Sequence, residues 1–438
     1  YRRSRLAAGC GQARGSSSGT EGFCDKPCAM AKLLGIRIRN YRALRDVSLG
    51  RLKPSQLKNP ELPSLVCFIG PNGSGKSTLL DAFGFLADCL REGIEAACDK
   101  PGRGGFQRLR TQGSTESIEF DVCYRDQDED RPVIYSLVIG ESKAGVPIAL
   151  SEKFEQARKG KKVGKLFPFL NLKNGIGTAW AGDSTADSEG TAMVDVQLDD
   201  PGRLAIATLG QLKEHERIQR FREYVEGWYL SYFIPDAART LPIAGGQKHL
   251  NRAGDNLANV VEYMERGPNK ARFQSVLDAI GERIPGIKTI STRRSPDNRL
   301  LLQFNEDGYK DPFYQYSMSD GTLKMFTYLL LMQDPSPRPF IGIEEPENGL
   351  YHKLVERLAE ELKAHAASTN HNVVVTTHSP YFVDALKPEQ VWLVQKDGKG
   401  HTTVTRTADM PNVSDLIKEG VPLGSLWYSN HFDERVRT

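Results

Sequence analysis

Apolar and polar positions alternate with period two at 33–39 (LLGIRIR), where basic residues interleave with Leu and Ile, and the pattern predicts a strand. Further strand patterns fall at 64–70 (SLVCFIG), 117–124, 133–140 and, rich in aromatics, 228–235. Helical spacing follows at 76–91 and returns at 254–282, with β patterns again near 287–304. After 317 the elements crowd together. A helix precedes strand 339–343, helix 350–367 precedes strand 372–377, and short strands close at 391–395 and 402–406. Residues 141–227 are less regular, with a basic run at 157–165 and a polar, glycine-rich stretch at 174–191, and they predict an inserted arm with long loops. Residues 1–29 carry four arginines and a Gly/Ser stretch without apolar period, and read as a disordered tail or a non-native extension. There is no internal repeat and no sustained heptad pattern.

Composition narrows the class. The 438 residues are 39% hydrophobic and 26% charged, as in a globular protein, and a formal charge of +3 gives no chain-wide basic field for nucleic acid. No apolar run is long enough to span a membrane and no signal peptide is evident, so a cytoplasmic protein without a membrane partner is expected. Seven cysteines, all in the first third, are an odd and clustered set rather than a disulfide framework. Cys24 and Cys28 could share a metal, but no second Cys/His pair lies near them.

Residues 70–78 (GPNGSGKST) fit G-x-x-x-x-G-K-[ST] between a strand and a helix. Glycines let backbone N–H groups converge on phosphate oxygens, and the helix N-terminus adds partial positive charge. Asn72, Gly73, Ser74, Gly75, Lys76, Ser77 and Thr78 are therefore the expected ATP-binding residues. Lys76 would reach the β- and γ-phosphates and Ser77 would ligate Mg2+. Strand 339–343 ends in Glu344, Glu345, Pro346 and Glu347. Carboxylates at a buried strand's end are costly unless a cation or proton chemistry uses them. Beside a phosphate loop, Glu344 becomes the second magnesium residue and Glu345 the base for the attacking water. Roughly 265 residues separate Ser77 from Glu344, far more than in a compact GTPase.

Ser319-Asp320-Gly321 opens an apolar helix, and Thr377-His378-Ser379-Pro380 ends a β-branched strand. Alone, the first also reads as a helix N-cap and His378 as a core histidine. In this order, with the phosphate loop and the Glu-Glu strand, they resemble the signature and switch histidine of ABC ATPases. The chain is similar to the ABC-type ATPases of the SMC, RecF and OLD group, and most to the stand-alone AAA/ABC ATPases of bacteria. The resemblance covers about 33–433. It includes Asn40-Tyr41-Arg42, Asp255-Asn256-Leu257, the Glu-Glu-Pro-Glu-Asn-Gly run and the terminal LGSLW.

The resemblance implies an α/β fold, an ABC-type phosphate-loop ATPase head of mixed sheets and flanking helices with an inserted α/β arm. The head's N-terminal half would occupy 30–140, the arm and a helical lobe 141–316, and the C-terminal half 317–438. It implies catalytic roles for Lys76, Glu345 and His378, phosphate contact by Arg42, and a D-loop at Asn348–His352. Ser319 and Gly321 would complete the ATP site of a second subunit, in a homodimer or higher homo-oligomer. Glu344 stands where many relatives have Asp, and Gln107 and Gln112 remain alternative Q-loop residues. The sixty residues after His378 lack the acidic cluster of a Toprim nuclease. The expected function is an ATP hydrolase acting as a switch or sensor over a separate effector in bacterial defence. The alternative is a RecF-like repair ATPase that clamps DNA; a transporter's nucleotide-binding subunit fits less well.

Nucleic acid is left open as a ligand. Arg158, Lys159, Lys161, Lys162 and Lys165 would touch phosphates or form a solvated loop. If they bind DNA or RNA, neutralising all five weakens binding and lowers its salt slope, since each lost phosphate contact releases roughly one fewer counterion. Binding titrations across a salt series check this, and an unchanged slope returns the loop to solvent.

Overall fold

The structure, a computed structural model, describes residues 31–432 except 54–55, 57–58, 127–130, 158–165 and 182–192. The N-terminal tail, Cys24 and Cys28, and the basic run at 158–165 lie outside the described residues. In chain order, β1 (Lys32–Tyr41), β2 (Leu44–Gly50) and β3 (Leu65–Ile69) precede α1 (Lys76–Glu92), α2 (Ile94–Asp99) and α3 (Phe106–Leu109). There follow β4 (Ile118–Arg125), β5 (Val133–Glu141), β6 (Pro147–Ala157), β7 (Leu166–Lys173), β8 (Ile176–Trp180) and β9 (Met193–Gln197). Then come α4 (Ala205–Leu209), α5 (Glu216–Glu226), β10 (Tyr229–Ser231), α6 (Pro235–Ala238), α7 (Leu257–Met264) and α8 (Lys270–Arg283). The chain continues through β11 (Ile287–Arg294), β12 (Leu300–Glu306), β13 (Phe313–Tyr314), α9 (Asp320–Met332), β14 (Phe340–Glu344) and α10 (His352–Thr369). It ends with β15 (Asn372–Thr376), α11 (Pro380–Asp384), β16 (Val391–Lys396), β17 (Thr402–Arg406), α12 (Val413–Lys418) and α13 (Leu423–Tyr428).

The central sheet runs β10-β14-β15-β3-β16-β17, parallel except for the last pair. Its strands are short and apolar on both faces, as a covered parallel sheet requires. Val66, Phe68, Phe340, Val374, Trp392 and Val394 face one core, shared with α1 and the antiparallel sheet. Leu65, Cys67, Ile69, Ile341, Ile343, Val373, Val375, Val391 and Leu393 face a second core with α7 to α10. The period-two alternation thus divides each strand between two cores rather than between core and water.

The second sheet, β2-β1-β4-β5-β6-β7-β8-β9, is antiparallel throughout. Here the structure differs from the sequence expectation. The stretch expected as long loops carries β6 to β9, which continue the meander begun by β5. The register shifts between Val138 and Ile139 and between Phe154 and Glu155 blur the alternation that would have marked these strands. β2, also unforeseen, is only half apolar because one face is open to water. Asn372 joins the sheets: its Oδ1 accepts the Leu33 N–H at 2.8 Å and the Tyr224 hydroxyl at 3.3 Å. β11-β12-β13 form a third, antiparallel sheet against α7 and α8.

One buried carboxyl holds the antiparallel sheet to its covering helices. Glu152 accepts the N–H groups of Ala205 and Ile206 at 2.6 and 2.9 Å and the Tyr135 hydroxyl at 3.1 Å. Burial pushes its pKa up to about 7, against the stabilising pull of those donors. Unfolded, the group titrates near 4.5. The folded chain therefore retains this proton where the unfolded chain has lost it, and the contribution present below pH 4.5 disappears as pH rises to about 7. Glu152→Gln has no such titration. Denaturant unfolding of both proteins at pH 5 and pH 8 should show the parent losing stability relative to the variant at the higher pH.

Candidate nucleotide site

The parallel sheet sends β3, β14, β15 and β16 to one edge, the carboxyl edge at which α/β sheets bind ligands. β3 stops at Ile69 and the chain turns through Gly70–Gly75 into α1. Two glycines are required sterically. A Cβ on Gly70 would meet the Val394 carbonyl oxygen at 2.1 Å, and one on Gly75, at φ +113°, would meet the Thr402 hydroxyl at 2.3 Å. The hairpin β16–β17 thus presses on the loop, and Thr402 donates to the Ser74 carbonyl at 2.8 Å. No side chain caps the first turn of α1, so its N–H groups have no competing carboxylate or hydroxyl. Pro71, Asn72, Gly73 and Ser74 line a cavity of about 260 Å³ with Gln395, Lys396, Trp427 and Asn430.

Lys76 is only 6% exposed, and its ammonium donates to the carbonyls of Gly70 and Pro71 at 2.9 and 3.1 Å. Burial lowers its pKa, while Glu345, Glu347 and Glu344 oppose that shift. The loop cation and the acidic strand end, some 270 residues apart in sequence, therefore share one electrostatic environment. Ser77 is exposed and Thr78 partly so.

Glu344 ends β14 opposite Thr376 of β15. Glu345 then takes φ +42°, a left-handed conformation costing a non-glycine residue about 1–2 kcal/mol. It is held there by donating its N–H to the Thr376 carbonyl at 2.9 Å, and its carboxylate accepts from Asn348 at 3.0 Å. The other carboxylate oxygen lies 3.4 Å from His378 Nε2, within ion-pair range but without hydrogen-bond alignment. Burial, then Lys76, lowers the His378 pKa against the pull of Glu345 and Glu347, which favours a neutral imidazole. Among the described residues no group of three or more His, Cys, Asp or Glu gathers to hold a metal alone. Mg2+ commonly binds through one or two protein oxygens plus substrate phosphates, and Ser77 with Glu344 supply that kind of donor set.

Ser319 caps α9, accepting the Thr322 N–H at 3.2 Å, so the N-cap reading and the signature reading describe one residue. Gly321 approaches the D-loop closely: a Cβ there would lie 3.0 Å from the Gly349 carbonyl. Ser319, Gly321 and Thr322 line a cavity of about 510 Å³ with Gly349, Tyr351 and Lys353. No residue lines both this cavity and the one at the phosphate loop. Arg42, also left-handed at φ +50°, donates to the Gly102 carbonyl at 2.6 Å and lies 3.5 Å from Asp81, one turn beyond Ser77 on α1. Of the two Q-loop alternatives, Gln107 is engaged by Glu141 and Arg110, and Gln112 is exposed.

Sequence reasoning passed over several supporting residues. Glu347 accepts the His378 backbone N–H at 2.6 Å, and its second oxygen is buried without a partner. Lys324, 6% exposed and one turn into α9, feels Glu347, Asp320 and Glu345. Tyr41 donates to Asp81 at 2.6 Å, and Arg103 bridges Asp81 and Asp88, at 3.0 and 2.9 Å, so β1 is tied to α1. Glu347 had a sequence signal in the acidic run and Tyr41 one in Asn40-Tyr41-Arg42, but neither suggested these contacts.

Residues 65–384 match the family described as "AAA domain, putative AbiEii toxin, Type IV TA system". The chain belongs to this AAA-domain family. A search of curated proteins finds no match. Among solved structures, an SMC head bound to the C-terminal winged-helix domain of ScpA is 13% identical, with 85% of this chain and 97% of that chain covered and a TM-score of 0.52. The Smc head of Pyrococcus furiosus, with an extended coiled coil and bound to the C-terminal domain of ScpA, is 14% identical over 89% and 100% of the chains (TM-score 0.47). The SMC head of Thermotoga maritima is 13% identical over 86% and 98% (TM-score 0.42). This member of the AAA-domain family thus has the SMC-type ABC ATPase head fold expected from the motifs, and its family and fold are those of ATPases. No helix among its described residues is long and apolar enough to cross a membrane.

If Lys76 meets phosphate, Lys76→Ala should weaken ATP binding at least about tenfold, the loss of one charge-assisted contact. Calorimetric titration of both proteins with ATP checks this, and equal affinities would exclude the phosphate-loop role.

Proposed function

We propose that this ATPase binds and hydrolyses ATP between two copies of the chain and works as an ATP-driven switch on a separate effector. The observation that carries the reading is the partition of the chemistry. Lys76, Glu345 and His378 share one edge of the sheet, whereas Ser319 and Gly321 line a separate cavity. Each half lacks what the other has. A second copy, turned to face the first, would supply the Ser319 hydroxyl and the α9 N-terminus to the γ-phosphate held on Gly70–Thr78.

Within that sandwich the loop N–H groups and Lys76 bind the phosphates, with Arg42 at their flank. Ser77 and Glu344 would hold Mg2+, which would supply charge neutralisation to the phosphates. Glu345 orients water in line with the γ-phosphate and accepts its proton, its strained backbone keeping the carboxylate in place. His378, neutral at physiological pH, donates a hydrogen bond to the γ-phosphate, and Glu347 positions its backbone. Hydrolysis removes the group that both copies grip, so the copies separate. A role in defence is supported by the toxin–antitoxin description of the family. A protein partner is supported by the similar SMC head, which is bound to a winged-helix domain of ScpA.

Glu345→Gln keeps the side chain's size but cannot accept a proton, and losing such a base commonly costs a factor of about 10² to 10⁴ in rate. With ATP and magnesium, that variant should hydrolyse slowly and accumulate as a dimer or larger assembly. Ser319→Arg should abolish the accumulation while leaving ATP affinity intact. Light scattering beside phosphate release tests both: full turnover by Glu345→Gln excludes it as the base, and an assembly state indifferent to both substitutions excludes the sandwich.

A further inference from the structure

A cavity of about 380 Å³, sharing no lining residue with either half-site cavity, lies between the C-terminal turn of α1, the edge strand β10 and the chain entering β14. Its wall includes Arg91, Lys100, Tyr229, Arg252 and Arg338. The acids on the same wall are already matched. Asp88 pairs with Arg103 at 2.9 Å and Lys100 at 2.7 Å, Glu92 with Lys100 at 2.8 Å, and Glu226 with Arg222 at 2.9 Å. Arg252 and Arg338 are different. Among the described residues neither has a carboxylate within ion-pair distance. Each instead lies over an aromatic ring, Arg252 at 4.6 Å from the centre of Tyr232 and Arg338 at 5.8 Å from that of Tyr229.

The two guanidinium groups act on a common point, since both lower the pKa of the Tyr229 phenol against the larger upward push of burial. Arg338 also adds to the lowering of the Arg91 pKa by burial, which the nearby Asp88 opposes. Arg252 and Arg338, without carboxylates of their own, place uncompensated positive charge in a concave site. Their backbone is held: Tyr229 donates to the Asn251 carbonyl at 2.8 Å, and the Tyr232 N–H to the Arg252 carbonyl at 2.9 Å. Planar, donor-only groups on a fixed frame suit the oxygens of a phosphate group, which they can grip with paired hydrogen bonds. The cavity's size lies within the range of small-ligand pockets.

We propose that Arg252 and Arg338 form a second anion site, separate from the ATP site, that binds a phosphate group carried by a ligand. That phosphate comes either from a small free anion or from the diester backbone of a nucleic-acid strand. Burial and then the charge of Glu344 raise the pKa of the Tyr232 phenol beneath Arg252, so the site lies near the acidic strand end. The proposal does not depend on the dimer mechanism.

The test uses the full chain with Lys76→Ala and no magnesium, so that the phosphate loop does not compete. Titration with inorganic pyrophosphate and with a 20-nucleotide single strand should show binding of at least one probe. Pyrophosphate binding alone identifies a small ligand, and strand binding alone identifies nucleic acid. Adding Arg252→Gln and Arg338→Gln should weaken the bound probe at least tenfold. Arg338→Lys, which keeps charge but loses the fork, should fall between. If the double variant does not fold, Arg252→Gln alone, on an exposed side chain, is read instead. No binding of either probe, or affinities unchanged by the arginine substitutions, would overturn the proposal. ATP affinity of the arginine variants in the Lys76 parent, read separately, should be unchanged.

Discussion

A parallel sheet buried on both faces can place polar chemistry only where its strands end. In this chain β3, β14, β15 and β16 are so apolar that a charge appears in them only at a last residue, Glu344 or Lys396. The phosphate loop, the acidic run, His378 and the end of β16 are therefore delivered to one edge by register alone. Glu344 stands opposite Thr376, Thr376 opposite Phe68, and Phe68 opposite Trp392. A one-residue slip would turn every one of these side chains towards the wrong core. The two cores that flank the sheet thus specify this edge as firmly as any polar contact in it.

That edge then has an electrostatic problem of its own. Three carboxylates within four residues would repel one another, and the structure answers by giving each a different partner. Glu344 ends its strand opposite Thr376, Asn348 holds Glu345, and the His378 backbone N–H holds Glu347. Lys76 and Lys324 bring compensating charge from two different helices, one following the phosphate loop and the other the signature. The left-handed turn at Glu345 is the cost of aiming consecutive carboxylates apart, and two hydrogen-bonding chances at Thr376 offset it.

The elements legible in sequence were those whose signal is local. The glycines of the phosphate loop, the apolar run of β14 and the β-branched run of β15 announce themselves within a few residues. The strands β6 to β9 did not, because register shifts interrupt their alternation and β9 keeps much of its surface in water. Nor did the roles of Tyr41, Asp81 and Arg103, whose meaning lies in a network joining β1, α1 and the segment before α3. Glu347 was visible as an acid, but only the fold shows that its oxygen reaches the backbone of a residue thirty-one positions later. Motif chemistry is written locally, whereas the frame that aligns it is distributed.

The same distinction explains why the signature cavity and the phosphate-loop cavity are separate. Gly321 lies against the D-loop carbonyl of Gly349, so the α9 N-terminus is fixed to the segment leaving the acidic strand rather than to the loop before α1. Glu345 and Asn348 lie on that segment, and Tyr351 at its end lines the signature cavity. Any ligand or second copy that seats on Ser319 must also press on Gly349 and Tyr351. The start of α9 is thereby packed on the same segment that carries Glu345. A nucleotide gripped across two copies, as proposed, would meet both the α9 start and the Glu345 segment, which the packing of Gly321 on the Gly349 carbonyl holds together.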